Sequence, residues 1–392
     1  MHLALTEEQY LIQDMARKFA VAELEPIAAQ LDLDKDPAKN RQLFLANLKL
    51  LAELGFMGLN VSSDYGGSDA GVVAFSLAVT EIAKACASTA VTMSVTNMVG
   101  EVIQAVANEE QKQQYLPKLS SGDYAAGSFC LSEQGAGSDP AAMKTKAVKD
   151  GDHWIINGTK AWITSAEYAG VFVVWAVTDA EAPSGKGISC FLVEANTPGI
   201  TIGKAEQKMG QHASSTNMVS FDNCRIPTSA LMGKLNDGFR IAVAELAGGR
   251  IGIGSLALGI GFAAMDYARK YCTEREQFGR SLASFQGLQW MMSDAYTQLE
   301  ASRLLIMNAA YLKDSSEPFN KAAAMAKLHA SETANKVCYT AQQLLGGMGY
   351  TKDCPLERYS RDVRVTSVYE GTSEIQRLII ARELINELRV CS

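Results

Sequence analysis

Two features that would point to a membrane or to nucleic acid are missing from this sequence of 392 residues. No run of uninterrupted apolar residues reaches the length of about 18 that a membrane-spanning helix needs, so we expect no integral membrane association. The chain carries 36 basic and 43 acidic residues, a net charge of −7. Non-specific nucleic-acid binders normally have a basic surplus, so we expect no nucleic-acid partner. A local arginine or a helix N-terminus could still hold an anionic ligand.

Closely spaced cysteine pairs and a secretory leader are missing too. None of the eight cysteines lies in a CxxC pair or at metal-ligand spacing from a histidine: the cysteines are Cys86, Cys130, Cys190, Cys224, Cys272, Cys338, Cys354 and Cys391, and the histidines are His2, His153, His212 and His329. We therefore expect no metal site, and reduced thiols in a reducing compartment. Residues 1–5 show no basic stretch before an apolar core, so we expect no secretory signal. The compartment is then a bacterial cytoplasm, or the mitochondrial matrix if a transit peptide has been removed.

The composition, with 47% apolar and 20% charged residues, is that of a soluble globular protein. At about 150 residues per domain, the length predicts two to three domains. Residues 1–123 have a helical period and are predicted to form an N-terminal α-helical domain. Thr6-Glu7-Glu8-Gln9 forms a capping box that should start a helix running to Pro26. Further helices are expected over about 42–54 and 72–86, and a fourth should end near Pro117.

Residues 124–235 change to short β-rich runs separated by turn pairs. The runs are 127–131, 153–156, 161–164, 171–177, 188–193 and 218–221. This spacing predicts an antiparallel barrel or sandwich as the middle β domain. The helical period returns in residues 236–392, with helices expected over about 238–273, 285–313, 318–345 and 372–388. The predicted fold is therefore α+β, with a β domain between an N-terminal helical domain and a C-terminal helical bundle.

Two segments of the β domain have ligand-binding chemistry. Residues 129–139 combine glycines, which let a backbone approach a ligand, with the hydroxyls of Ser132 and Ser138. More strands follow instead of a helix, which excludes a Rossmann dinucleotide loop and leaves a plain surface turn as the alternative. In residues 157–165, Trp162 could stack on a flat heterocycle while Thr164 bonds its edge. The alternative for Trp162 is an ordinary core position.

Three segments of the C-terminal domain are also candidates. Arg275, in the turn that precedes Phe285-Gln286, could pair with a phosphate, or could form local ion pairs in a solvated turn. Residues 342–350 place two amides before Gly346 and Gly347, where a helix C-cap explains the glycines but not the amides. Glu370 precedes Gly371 and Thr372, a possible N-cap. Held over an apolar pocket, its carboxylate would have a raised pKa and could act as a base; otherwise it is an exposed loop residue.

These five segments, in this order, resemble the acyl-CoA dehydrogenase family over nearly the whole chain. The resemblance also covers the Tyr65-Gly66-Gly67 loop and residues 208–210 with 214–216. It implies a helical domain, an antiparallel β-barrel and a four-helix bundle, with FAD between the last two in a homotetramer, usually a dimer of dimers. It further implies an acyl-CoA substrate, FAD-dependent formation of a trans-2-enoyl-CoA, and an electron-transfer flavoprotein as electron acceptor.

Roles follow from the matched positions. The resemblance implies that the residues in contact with FAD are Phe129, Leu131, Ser132, Gly137, Ser138, Trp162, Ile163, Thr164, Arg275, Phe278, Gln286, Gln343, Leu344, Gly346, Gly347, Thr372, Ser373 and Glu374, with residues 343–347 coming from a neighbouring subunit. Those near the substrate are Ser138, Arg250 and Gly371. Glu370 is the implied catalytic base.

Some family branches carry the base at the position before the arginine that matches Arg250. Here that position is Gly249, which leaves Glu370 as the matched base. The glycine-rich residues 248–254 resemble short-chain branches, with Ile251 and Leu256 as possible floor residues of an acyl pocket. They imply a short straight, branched or cyclic acyl group. An acyl-CoA oxidase, an enoyl-CoA reductase and a non-catalytic scaffold that binds FAD or acyl-CoA remain alternatives. The pair Gln211-His212 departs from the usual apolar–Arg pair.

Overall fold

The computed structural model describes residues 4–33 and 36–390. His2 and Cys391, a histidine and a cysteine considered above as possible metal ligands, lie outside these ranges. The seven cysteines inside them are free and buried. No three His, Cys, Asp or Glu side chains of the described ranges come together as a metal-binding group.

The N-terminal part is helical, as predicted. Within the described residues its helices are α1 (Glu7–Phe19), α2 (Glu25–Asp32), α3 (Pro37–Glu53), α4 (Gly71–Ala85), α5 (Ala87–Val106) and α6 (Glu109–Ser120). The capping box at Thr6 is confirmed: Gln9 N–H donates to Thr6 Oγ1 at 3.2 Å, and Thr6 N–H donates to Gln9 Oε1 at 3.0 Å.

Two expected helix ends at prolines are wrong. α1 continues through a π-helical turn (Ala20–Leu24) into α2, and Pro26 lies in the first turn of α2. Pro117 lies inside α6, which continues to Ser120. Leu116 and Leu119 are both buried there, and such tertiary packing outweighs the lost hydrogen bond.

The middle part is a β-sheet. Its strands are β1 (Ala126–Cys130), β2 (Lys146–Asp150), β3 (His153–Thr164), β4 (Ala169–Val177), β5 (Ile188–Glu194), β6 (Ile200–Ile202), β7 (Thr216–Pro227) and β8 (Leu231–Met232), in the order β6-β7-β3-β2-β4-β5-β8 with β1 paired to β4. The sheet is mixed and not wholly antiparallel as expected: β1 runs parallel to β4 over its whole length, and β2 meets β4 in parallel at one residue pair. Two further strands, β2 and β3, lie between β1 and β4 in the sequence, and β4 runs in the same direction as β1 beside it.

The C-terminal part is again helical. It consists of α7 (Gly238–Glu274), a short hairpin of β9 (Glu276–Gln277) and β10 (Arg280–Ser281), then α8 (Gln286–Asp314), α9 (Asn320–Leu345), α10 (Leu356–Arg364) and α11 (Ser373–Val390). The sequence predicts four of these helices and misses α10, which is short and mostly polar. The domain boundaries expected after residues 123 and 235 remain predictions.

The helical parts share one hydrophobic core, to which α4, α7, α8 and α9 all contribute. The Asp314 carboxylate at the end of α8 accepts hydrogen bonds from the N–H groups of Val72 (2.7 Å) and Val73 (3.0 Å) and so caps α4. Trp175 Nε1 of β4 donates to the carbonyl of Gly238 at 2.7 Å, which ties the sheet to the start of α7. By length and composition alone α7 could cross a membrane, but most of its apolar stretch is buried within the protein, as in the core helix of a globular domain.

Candidate functional site

Glu370 lies in the loop before α11, in a backbone conformation that is uncommon for a residue with a side chain. Its φ is +54°, and that of Gly371 is +85°. Two side chains hold this loop: Gln376 Nε2 donates to the carbonyls of Glu370 (3.1 Å) and Gly371 (2.8 Å), and Lys327 Nζ donates to the carbonyl of Gly371 (2.8 Å). The surrounding structure therefore stabilises a strained segment, which is the pattern found at active sites.

The carboxylate of Glu370 is isolated from hydrogen-bond donors. Its Oε2 atom is buried and has no partner among the described residues. A Cβ atom at Gly249 would lie 2.9 Å from Oε2 and 2.7 Å from Met98 Sδ, so the glycine leaves the space that the carboxylate occupies. Burial raises the pKa of Glu370 to about 7, although the charges of Arg250 and Lys327 oppose that rise. Such a group can accept a proton near neutral pH.

Arg250, the predicted substrate contact, is buried beside the base on α7. Its Nη1 donates to Asn320 Oδ1 at 2.8 Å, and Asn320 Nδ2 donates to Glu383 Oε1 at 3.0 Å. Its Nε has no partner among the described residues. The site therefore offers a buried cationic donor close to the base.

A buried ion pair braces the glycine-containing loop of the β domain. Lys160 Nζ donates to Glu133 Oε1 (2.8 Å) and to the carbonyl of Leu131 (3.1 Å). Ala161 N–H donates to the carbonyl of Ser132 at 2.9 Å. These contacts bring Ser132 beside the end of β3, next to Trp162.

Trp162 is not a core residue. Its side chain is 60% exposed, its φ is +63°, and the pairing of β3 with β7 is irregular at this point. Thr164 is half-buried, and its carbonyl accepts a hydrogen bond from Ser128 Oγ at 2.7 Å. A large exposed ring beside a polar strand end provides a stacking surface for a flat ligand.

The other candidates in the β domain lie around this surface with different exposure. The Phe129 ring packs on Trp175 with 4.2 Å between centroids, and the side chain is half-buried. Leu131 and Ile163 are buried, while Gly137 and Ser138 are exposed in the loop. The structure therefore gathers this half of the predicted site where β1 and the loop after it meet the C-terminal end of β3.

The candidate residues of the bundle lie at its other end. Arg275, Phe278 and Gln286 are exposed where α7 is followed by the hairpin and α8. Gln343, Gly346 and Gly347 are exposed at the end of α9, whereas Leu344 is buried. Along α9, sixteen residues separate Gln343 from Lys327, which corresponds to about 24 Å at the helical rise. Within one subunit, therefore, these segments are far from Glu370.

The last candidates start α11. Thr372 Oγ1 accepts a hydrogen bond from Ile375 N–H at 3.3 Å, which confirms the predicted N-cap. Ser373 is buried and donates to Glu332 Oε1 at 2.5 Å, whereas Glu374 is exposed.

Five residues of this region have no assigned role in the sequence analysis: Glu133, Lys160, Gln211, Lys327 and Gln376. Only Gln211 carried a signal, as part of an unusual pair. Its N–H donates to Asp362 Oδ1 at 2.5 Å and its Nε2 to the hydroxyl of Tyr369 at 3.2 Å, so it supports the residue next to Glu370. Glu133 and Lys160 lie within residues 129–139 and 157–165, where the sequence assigns them no role. Lys327 and Gln376 lie in ordinary helix sequence, and only the fold brings these four residues to the site.

Comparison with known proteins identifies the family. Sequence models of the N-terminal, middle and C-terminal domains of acyl-CoA dehydrogenase match residues 6–123, 128–224 and 236–385. The mitochondrial short-chain specific acyl-CoA dehydrogenase of Bos taurus is 47% identical, covering 98% of this chain and 92% of its own length. The short-chain specific acyl-CoA dehydrogenase of Clostridium acetobutylicum is 44% identical over 98% and 100%. The acryloyl-CoA reductase (NADH) of Anaerotignum propionicum is 43% identical over 98% and 96%.

Solved structures agree with the sequence matches. A chain from the structure described as the electron transferring flavoprotein of Acidaminococcus fermentans has a TM-score of 0.94 and 42% identity, covering 98% of this chain and 99% of that one. Butyryl-CoA dehydrogenase from Megasphaera elsdenii has a TM-score of 0.92 and 36% identity over 98% and 100%. A glutaryl-CoA dehydrogenase from Mycobacterium smegmatis in complex with FADH2 has a TM-score of 0.89 and 30% identity over 97% and 95%. The chain therefore belongs to the acyl-CoA dehydrogenase family of FAD-dependent oxidoreductases.

Proposed function

We propose that the protein oxidises a short acyl-CoA to the trans-2-enoyl-CoA, with Glu370 as the base that removes the α proton. The observation that carries the proposal is the buried Oε2 of Glu370, which has no hydrogen-bond partner among the described residues, in a carboxyl group whose pKa burial raises to about 7. A carboxylate without donors keeps its lone pairs available for a proton, and general-base catalysis of this kind contributes about 10²–10⁴-fold.

Removal of the α proton also needs a donor for the thioester oxygen, on which negative charge develops. The backbone N–H of Glu370 takes part in no backbone hydrogen bond within the described ranges. The family resemblance assigns this N–H to the thioester carbonyl. One residue would then supply both the base and a donor, and its left-handed backbone would set the angle between them.

The residues present fit FAD as the cofactor. Trp162 offers an exposed stacking face, Thr164 a polar strand end, and Arg275 an exposed guanidinium without a side-chain hydrogen bond or ion pair among the described residues. A guanidinium matches a pyrophosphate through parallel hydrogen bonds. When bound, FAD supplies the acceptor for the hydride equivalent from the β carbon.

We further propose a homotetramer in which residues 343–347 complete the FAD site of a neighbouring copy. The separation of about 24 Å along α9 keeps Gln343 away from Glu370 of its own subunit, which is compatible with this assignment from the family resemblance. Large exposed rings at the same end of the bundle support burial in an interface: Phe278 and Tyr350 are both 94% exposed.

The assembly proposal predicts that FAD retention and subunit association are coupled. Arg275→Ala should release FAD on dilution and lower the melting temperature unless excess FAD is added, since a ligand stabilises only the form that binds it. Arg240→Ala, at an exposed arginine that forms an ion pair with Asp237, is the control. An Arg275→Ala protein that keeps full flavin content and the wild-type melting temperature would contradict the role of Arg275.

We propose an electron-transfer flavoprotein as acceptor, supported by the match to the Acidaminococcus fermentans structure. A bacterial cytoplasm or a mitochondrial matrix is the proposed compartment, since the relatives include a bacterial and a mitochondrial protein and the described cysteines are free.

The alternative reaction is enoyl-CoA reduction on the same fold, which the relative named acryloyl-CoA reductase (NADH) favours. An acyl-CoA oxidase is distinguished by rapid reoxidation of its flavin by oxygen.

The decisive experiment is an anaerobic screen of acyl-CoAs for bleaching of the flavin, followed by kcat/KM across a saturated series with isobutyryl-, 2-methylbutyryl- and cyclohexanoyl-CoA. We expect the maximum at about four to six carbons, because each methylene that fits contributes about 0.8 kcal/mol until the first one meets a close-packed wall. A maximum at about eight carbons or more would contradict the short-chain proposal and keep the dehydrogenase. Absence of bleaching by every acyl-CoA would support the non-catalytic scaffold.

A further inference from the structure

We infer that Lys327 is a positioning residue for the base: its ammonium group fixes the carbonyl of Gly371 and favours the ionised form of Glu370. The inference rests on the proposed role of Glu370. Lys327 contributes to the site through the loop and through its charge, and has no direct part in proton transfer.

The first observation is the burial of Lys327 without a carboxylate partner. Its side chain is fully buried in α9, and its only hydrogen bond among the described residues is the one from Nζ to the carbonyl of Gly371, at 2.8 Å. Lysine is rarely buried unless it is paired, because removing an ammonium group from water is costly. An interaction in the folded protein must offset that cost.

The second observation is that the carbonyl of Gly371 already has a neutral donor. Gln376 Nε2 also donates to it, at 2.8 Å, and bonds the carbonyl of Glu370 as well. The amide alone could hold both carbonyls of the left-handed pair. What Lys327 adds is a positive charge next to the carboxylate.

The third observation is the set of charges around the pair. Lys327 faces Glu370, Arg250 on α7, Glu332 on its own helix and Glu374 on α11. Glu370 faces Arg250 and Lys327, and its negative charge contributes to the raised pKa values of the buried Glu245 and of Tyr369. Burial lowers the pKa of Lys327 to about 8, while Glu370 opposes that change, so the ammonium form still predominates at neutral pH. Arg250 already binds Asn320, and removing Lys327 would leave it as the only cation acting on Glu370.

The test compares three flavin-loaded variants by the pH dependence of kcat/KM. Lys327→Met removes the charge and one hydrogen bond, Gln376→Met removes hydrogen bonds without a change of charge, and Lys336→Met alters an exposed lysine of the same helix. For Lys327→Met we expect the acid limb to move upward by about one pH unit, with about tenfold loss below the limb and recovery at high pH. For Gln376→Met we expect a lower kcat at every pH and an unmoved limb. Lys336→Met should match the wild type.

An acid limb of Lys327→Met that stays at the wild-type position, in protein with full flavin content, would overturn the inference. If Lys327→Met does not fold, Lys327→Gln gives the same test, since it removes the charge but keeps a polar group facing Gly371. A merely structural role would lower activity equally at all pH values. Glu370→Gln distinguishes a failure of the proposed base from a failure of the role of Lys327: if that variant stays active, the proposed base is wrong. If it is inactive and the limb of Lys327→Met is unmoved, only the role of Lys327 fails.

Discussion

The β domain and the helical bundle each place a fully buried lysine near a glutamate, Lys160 near Glu133 and Lys327 near Glu370, and the chemistry of the two pairs is opposite. Glu133 and Lys160 bond each other directly at 2.8 Å. Glu370 and Lys327 do not, because the lysine donates to the carbonyl of Gly371 instead. The same two residue types thus form a closed ion pair in one region and a separated pair in the other.

The difference lies in the donors that reach the carboxylate. Burial alone would raise the pKa of Glu133, but Lys160 and the N–H groups of Thr145 and Lys144 hold that pKa below its usual range. Within the described part of the chain no donor reaches Oε2 of Glu370, and burial raises the pKa of that residue to about 7. Burial therefore does not by itself make a carboxylate a base. Full pairing gives a structural brace, and the absence of donors gives a proton acceptor.

Replacement of the unpaired carboxylate should have the largest effect. Glu370→Gln should keep FAD and bind acyl-CoA but lose turnover by at least about 10²–10⁴-fold. Gly249 occupies the position at which some family branches carry the base, and it has no side chain that could replace Glu370. Stopped-flow reduction of the flavin measures this directly. Retention of more than about a tenth of the wild-type rate, with deamidation to glutamate excluded, would remove Glu370 from the mechanism.

Breaking the closed pair should act on stability. Lys160→Met leaves the Glu133 carboxylate buried without its cation and should lower the free energy of unfolding by about 3–5 kcal/mol, measured by urea denaturation with FAD in excess. The double variant Glu133→Gln with Lys160→Met should recover part of the loss. Lys149→Met, at an exposed lysine of β2, serves as the control. A loss below about 1 kcal/mol would mean that the pair is not a brace.

The unpaired carboxylate of Glu370 should lower the free energy of unfolding, and the size of this effect should depend on pH. Because the pKa of Glu370 is higher in the folded protein than in the unfolded chain, the folded form binds more protons, and the contribution of this group to stability falls as pH rises from about 4.5 to 7. Glu370→Gln should therefore stabilise the protein at pH 8, by up to about 3 kcal/mol, and by little at pH 5. Thermal unfolding at both pH values, with exposed Glu53→Gln as control, tests this. An equal effect at both values would contradict the raised pKa.

The smallest effect is expected from filling the space beside the carboxylate. Gly249→Ala places a methyl group 2.9 Å from Glu370 Oε2, so the carboxylate must shift, and we expect about a tenfold lower kcat with unchanged flavin content. Helix propensity favours alanine by about 1 kcal/mol, which should hide any loss of stability. Gly287→Ala, where no atom lies within 4 Å of the added methyl group, is the control. Full activity of Gly249→Ala would show that the carboxylate does not need that space.

Local signals in the sequence predicted much of the fold. The capping box at Thr6 and the N-cap at Thr372 depend on neighbouring residues and are confirmed by their hydrogen bonds. β2 (Lys146–Asp150) is short, lysine-rich and largely exposed, and was missed. The parallel pairing of β1 with β4 depends on how the chain returns to the sheet, which the residues of either strand do not encode.

The candidate site could be predicted only in part, for a similar reason. Glu370, Trp162 and Arg275 were found because a motif or resemblance surrounds them. Lys327 was not, because it is a lysine within an alanine-rich helix and acquires its role only when Gly371, 44 residues later, folds against it. Lys327 acts through Gly371, so the residues around it in the sequence carry no pattern that marks it.

The cap that Asp314 places on α4 has a consequence for biosynthesis. α4 buries most of its side chains, many of them against α7 and α8, which are translated long after it. At about 5–20 residues per second, the ribosome reaches the end of α7 roughly 10–40 s after α4 emerges. During that time α4 can pack against α1 but lacks α7, α8 and its capping carboxylate. We therefore expect the nascent N-terminal third to depend on a chaperone until the C-terminal helices are made.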